Sequence, residues 1–134
     1  MDNEFGKNLA RKIVAVEDAG RTGVREDVQK LLSPRFVGIT RGGRPGTGEQ
    51  EEDREQLIAT IMSAELNSPL RVPSFDDQHS GAWALGDGCW VVKGKVATRN
   101  KDAPERDAVF RNTWIFCSDG GEWGLFSLQV TRLL

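Results

Sequence analysis

The chain has 134 residues, of which 28% are charged, with 18 Lys and Arg set against 20 Asp and Glu and a formal net charge of −2. That length fits one domain, 1–134, able to bury a core without disulfide or metal staples. The slight acidity excludes the basic footprint of a nucleic-acid binder, and apolar runs of at most four residues (Ile13–Val16, Cys89–Val92, Trp114–Cys117) exclude a membrane-crossing helix and a signal-peptide core, so no membrane partner and a cytoplasmic location are expected.

Phe5, Leu9, Ile13 and Val16 recur at helical spacing and predict a helix over 3–19, with Asp2 or Asn3 to cap it and Gly20 to end it. Val24, Val28, Leu31 and Leu32 predict a second helix over 22–32. Ser33-Pro34 stops it, because proline lacks the N–H and disfavours helix in the residue before it. Phe36, Val37 and Ile39 suggest a short strand, Arg35–Thr40. The stretch RGGRPGTG (41–48) reads as a loop; it lacks the Gly-Lys-Ser/Thr ending of a phosphate-binding loop. Thr47 and Gln50 match a capping box for a third helix over 48–66, with acidic residues in its first turns and an apolar stripe of Leu57, Ile58, Ile61, Met62 and Leu66. Asn67-Ser68-Pro69 ends it.

Beyond residue 70 the helical period disappears. Ala82–Leu85, Cys89–Thr98, Ala108–Cys117 and Trp123–Leu133 read as strands, separated by Gly86-Asp87-Gly88, a charged segment over Arg99–Asp107, and Asp119-Gly120-Gly121. Tight turns between consecutive strands predict an antiparallel meander, and helices followed by strands predict an α+β fold. The later strands are apolar on both faces. Phe110, Asn112, Trp114 and Phe116 alternate with Val109, Arg111, Thr113, Ile115 and Cys117. A sheet with one wet face alternates more cleanly, so a second copy of the chain is expected to cover Val109, Ile115 and Cys117.

Cys89 and Cys117 lie within apolar runs and read as small buried hydrophobes. With one histidine and no CxxC, no metal site is expected.

Three helices, an early strand and a closing meander resemble the nuclear transport factor 2-like superfamily, which includes ketosteroid isomerase, SnoaL-like polyketide cyclases and the calcium/calmodulin-dependent kinase association domain. The local carriers are Phe110–Leu134, with Trp114, Asp119-Gly120 and Trp123 at the places of the closing hairpin; Ala84–Val96, with its Gly-Asp turn; and Leu31–Ile39, at the junction of helix and first strand. The resemblance implies a cystatin-like cone, three N-terminal helices packed in the concave face of a strongly curved antiparallel sheet. It also implies a pocket faced by Trp90, Val92, Gly94, Asn112 and Trp114, and a dimer through the convex face. The kinase association domain has arginines near Gly94 and Asn112; this chain does not.

The chemistry is sparse. Ketosteroid isomerisation uses a carboxylate base and an oxyanion donor pair that usually includes tyrosine, and this chain has no tyrosine. Asp76 and Asp77 are spare carboxylates. Asp77 and His79 fall on one side of a strand and could pair as a general base for a SnoaL-like cyclase, isomerase or hydrolase. Ser80 points the other way, which leaves a Ser/His/Asp triad without support. Trp83, Trp90, Trp114 and Trp123 are large core residues or the walls of an apolar pocket. Asn112 and Gln129 stand as polar residues within apolar strands, each a candidate anchor for a ligand. The leading expectation is a homodimer that needs no cofactor and binds a small organic ligand among Trp90, Val92, Asn112, Trp114 and Gln129. The rivals are the enzyme built on Asp77 and His79 and a protein-interaction module that docks through the sheet.

Overall fold

The computed structural model describes residues 3–19, 25–42, 50–62 and 71–133. Helices α1 (Asn3–Ala19), α2 (Arg25–Lys30) and α3 (Arg54–Ile61) accompany strands β1 (Gly38–Gly42), β2 (Gln50–Glu52), β3 (Arg71–Ala84), β4 (Cys89–Asn100), β5 (Ala108–Asp119) and β6 (Glu122–Arg132). The strands form one curved six-stranded sheet in the order β2-β1-β6-β5-β4-β3. The expected antiparallel meander is present in β3 to β6, but the sheet as a whole is mixed, because β1 runs parallel to β6, Gly38 opposite Ser127 and Gly42 opposite Thr131. The parallel contact starts earlier, where Leu32 bridges Leu125. Among the described residues no helix is long and apolar enough to cross a membrane.

Helix α1 buries Leu9, Ala10, Ile13 and Val14 against the sheet. Its Gly6 lets it approach closely, since a Cβ there would lie 2.6 Å from Trp90 Cε3. Phe5, expected on the buried face, is 43% exposed and packs edge-on to Trp123 at 5.4 Å. The proposed caps Asp2 and Gly20 lie outside the described residues, as do Val24, Thr47 and most of the RGGRPGTG loop.

Helix α2 ends before Leu31. The Leu31 carbonyl accepts from the Leu125 amide and the Ser33 amide donates to the Leu125 carbonyl, so this stretch leaves the helix to run along the sheet. Gly124 permits that approach, because a Cβ on it would stand 2.6 Å from the Ser33 nitrogen. A turn over Ser33–Phe36, in which the Ser33 hydroxyl accepts from the Arg35 amide at 3.0 Å, delays β1 to Gly38 rather than Arg35. The third helix also starts later than Thr47 and Gln50 suggest. Gln50 begins β2, and the capping box is formed by Asp53 and Gln56: Asp53 Oδ1 accepts from the Gln56 amide at 2.9 Å and Gln56 Oε1 from the Asp53 amide at 2.8 Å.

Strand β3 is far longer than Ala82–Leu85. It begins at Arg71, and its polar stretch bulges so that Asp77–Ser80 oppose Gly94 alone. Pro73 is tolerated because β3 is a sheet edge. The β5–β6 hairpin closes through Gly120 and Gly121 at φ +63° and +89°, the left-handed pair that a two-residue hairpin turn requires.

The core lies between the helices and the inner sheet face. It includes Trp90, Val92 and Val96 from β4, Trp114 and Phe116 from β5, and Leu125, Leu128 and Val130 from β6.

Candidate functional site

A cavity of about 60 Å³ lies within this core. Ile13 of α1, Val28 of α2, and Leu57 and Ile61 of α3 form its helical wall; Ile39, Val96, Phe110, Leu128 and Val130 form its sheet wall. Three polar side chains, Arg41, Thr98 and Asn112, interrupt the apolar lining. Arg41 Nε donates to Glu52 Oε1 at 2.7 Å, and Glu52 Oε2 accepts from the Thr60 hydroxyl at 3.0 Å. This guanidinium is therefore neutralised at the β1–β2 side. Thr98 and Asn112 differ. Both are buried, and Thr98 Oγ1 and Asn112 Oδ1 have no hydrogen-bond partner. Such an atom costs about 1–3 kcal/mol, and most buried polar atoms are partnered.

Asn112 reaches the cavity because β5 alternates and Trp114 and Phe116 share its face. Thr98 reaches it from β4 in phase with Val92 and Val96. Thr98 is the residue that sequence reasoning passed over. The signal was there: it is a polar residue on the same alternation as Trp90 and Val92, near a strand end that invites a solvent reading.

The other expected pocket residues lie elsewhere. Trp90, Val92 and Trp114 are buried core side chains outside the cavity lining. Trp90 packs on Gly6 and Phe5, and Trp114 packs on Phe75 with centroids 5.7 Å apart. Gln129 is exposed on the outer face. The reason is a bulge: Phe116 faces Leu125 and Ile115 faces Ser127, so Phe126 is an extra residue. That insertion inverts the parity of β6, turning Leu128 and Val130 inward and Gln129 outward.

Asp77 and His79 do not pair. Arg11 of α1 donates through Nε to Asp77 Oδ1 at 2.9 Å, and its Nη2 also contacts that oxygen. Arg11 lies 5.5 Å from the Phe75 ring centroid. His79 Nδ1 instead meets Asp76 Oδ2 at 2.7 Å, a contact that holds the Asp76 carboxyl below its ordinary range, with the Gln78 and His79 amides adding to the effect. The bulge separates the two partners, and neither residue lines the cavity. Among the described residues no cluster of His, Cys, Asp or Glu could hold a metal ion.

Val109 and Ile115 are half-buried on the outer face, with Arg111 and Thr113 between them. Cys117 is already covered within the chain. Its Sγ lies 3.3 Å from Ser33 Oγ, which donates to Asp119 Oδ2 at 2.9 Å, and Asp119 in turn meets Arg35 Nε at 2.8 Å. It is thus withdrawn from the expected dimer surface. Cys89 stands opposite Cys117 in the ladder, and burial, then the neighbouring Cys117, pushes its thiol pKa up.

No model of a known protein family matches the chain, and no curated protein matches it. Solved structures do. A nuclear transport factor 2-like protein from Cytophaga hutchinsonii is 14% identical, covers 99% of this chain and 100% of its own, and superposes with a TM-score of 0.71. A nuclear transport factor 2-like protein of unknown function from Shewanella baltica is 10% identical over 100% of this chain and 98% of its own, at a TM-score of 0.65. An uncharacterised protein with a cystatin-like fold from Caulobacter vibrioides is 14% identical over 96% and 90%, at 0.64. The chain has the cystatin-like fold of the nuclear transport factor 2-like proteins. At these identities the likeness is one of fold, and a fold hosts many functions.

Proposed function

We propose that this domain binds a compact, mainly apolar organic molecule carrying one hydrogen-bond donor. The observation that carries the reading is Asn112 Oδ1, buried in an apolar cavity with no partner. A hydroxyl or N–H on the ligand would meet it, and Thr98 Oγ1 offers a second polar contact. The free space of about 60 Å³ exceeds the roughly 10–15 Å³ that one water needs on the same measure. It is well below the roughly 300–1,000 Å³ of drug-sized sites. The reading is therefore a small phenol or alcohol. Cyclase, isomerase or hydrolase chemistry gains no support from Asp77 and His79, which Arg11 and Asp76 hold apart.

The test is calorimetric titration with phenols and short branched alcohols. Saturable binding is expected, and Asn112→Leu, of similar size, should weaken it about tenfold, the equivalent of one modest hydrogen bond, while the variant stays folded. Absence of saturable binding by the unaltered protein, or equal binding by Asn112→Leu, would sink the reading.

A second reading concerns self-association. Ile115, Phe126 and Val37 are apolar residues outside the core cluster, and Val37 is 65% exposed. The Val37 amide donates to the Phe126 carbonyl, which makes these two residues neighbours. We propose that two copies of the chain meet over Ile115 and Phe126, on the β5–β6 part of the outer face.

A further inference from the structure

The other half of the outer face carries a charged feature that the cavity does not use. Residues opposite one another in a ladder share a face, and alternate residues along a strand point to opposite sides. Gly81 stands opposite Lys93, and Lys95 stands opposite both Asp76 and Arg111. Asn112 pairs with Gly94, between the two lysines, so Lys93, Lys95 and Arg111 point away from the cavity. Together with His79 and Trp83 they line a groove of about 600 Å³.

Two observations say what this groove would take. The first is an excess of positive charge, three cations beside the single carboxylate of Asp76. Lys93 and Arg111 are exposed and Lys95 is half-buried, and among the described residues none of the three has an ion pair. Asp76, the carboxylate in register with Lys95, is committed to His79 and to the Gln78 amide. Lys95 and Arg111 are direct cross-strand neighbours of like charge, an arrangement that repels until an anion sits beside it. The second is an indole held ready. Trp83 is 52% exposed. A Cβ on Gly81 would fall 2.8 Å from its Cη2 and 3.1 Å from its Cζ2, so the indole leans over Gly81, beside Lys93, and only glycine leaves room for it there.

We propose that this groove binds a nucleoside phosphate, its base stacked on Trp83 and its phosphates among Lys93, Lys95 and Arg111. The step from Lys93 to Lys95 spans about 7 Å of strand, and a single indole serves it. That matches one base and its own phosphates. A nucleic-acid strand needs successive aromatic platforms and a basic track, and the chain's net charge of −2 supplies no such track.

Calorimetry with ADP, adenosine and tripolyphosphate tests the assignment. ADP should bind saturably and adenosine about tenfold more weakly, the difference one strong charge-assisted contact makes. Trp83→Leu should weaken ADP about tenfold and leave tripolyphosphate unchanged, since stacking alone is removed. Lys95→Gln and Arg111→Gln should weaken both anions, and Arg111→Lys should retain most of the ADP affinity. These residues are at the surface, so unchanged thermal melts will accompany the losses. Asn112→Leu should leave ADP binding untouched, which keeps this site separate from the cavity. No ADP binding overturns the proposal, as does equal ADP binding by Trp83→Leu, which would mean a bare anion patch. Oligothymidylates that bind more tightly than ADP, and increasingly so with length, would overturn it in favour of a single-strand surface.

Discussion

Two side chains, Thr98 and Asn112, set the character of the cavity, and they are not equivalent. An amide has a fixed acceptor and fixed donors, whereas a hydroxyl rotates and serves as either. Asn112 therefore selects the ligand group and Thr98 adapts to it. Both leave an oxygen unpaired in the protein alone. Thr98→Val keeps the branched shape and removes the orphan oxygen, and it should raise stability by about 1 kcal/mol, read as a higher denaturant midpoint at unchanged slope. A destabilised Thr98→Val would mean that the hydroxyl is already satisfied. The same residue scale accounts for the loss of the Asp77–His79 pair. Two residues apart in an ideal strand they would share a face, but the four-residue bulge gives each a different partner.

Elements whose boundaries are set by local chemistry were legible, and those set by tertiary contacts were not. The hairpins β4–β5 and β5–β6 could be read from alternation and from Gly120-Gly121. Helix α3 illustrates the opposite case. Two capping boxes compete, Thr47/Gln50 and Asp53/Gln56, and the second prevails because Gln50–Glu52 pairs with β1, Arg41 opposite Gln50. Asp53→Ala should therefore cost about 1 kcal/mol, measured by chemical unfolding. A change of a few tenths or less would place the helix start elsewhere. Asp77 and His79 read as strand residues, but the full length of β3 was not legible because its first ten residues, RVPSFDDQHS, are largely polar and contain proline, features an edge strand accepts and a central strand refuses. The inward role given to Gln129 failed for a related reason. One inserted residue, Phe126, exchanges the faces of everything after it, and a single sequence carries no clear mark of where a bulge falls.

At the scale of the whole molecule the sheet separates its tasks by face and by half. Its inner face holds the core and the cavity. The outer face carries a cationic groove over β3, β4 and Arg111 of β5, with the apolar Ile115 and Phe126 beside it. A two-fold interface repeats one patch on both partners, so pairing over the cationic half would bring Lys93, Lys95 and Arg111 towards their own copies. Pairing over Ile115 and Phe126 avoids that repulsion and gains about 25 cal/mol per Å² of apolar surface removed from water, before the costs of association. Sedimentation at tens of micromolar, about the range where a weak dimer still forms, should show a dimer. Ile115→Asp should convert it to monomer, because the two-fold would bury two like charges without a partner. Lys95→Gln should leave the dimer intact, because that residue belongs to the half left open. A monomer at that concentration removes the pairing altogether, and a dimer that survives Ile115→Asp but dissociates with Lys95→Gln would move the contact onto β3 and β4.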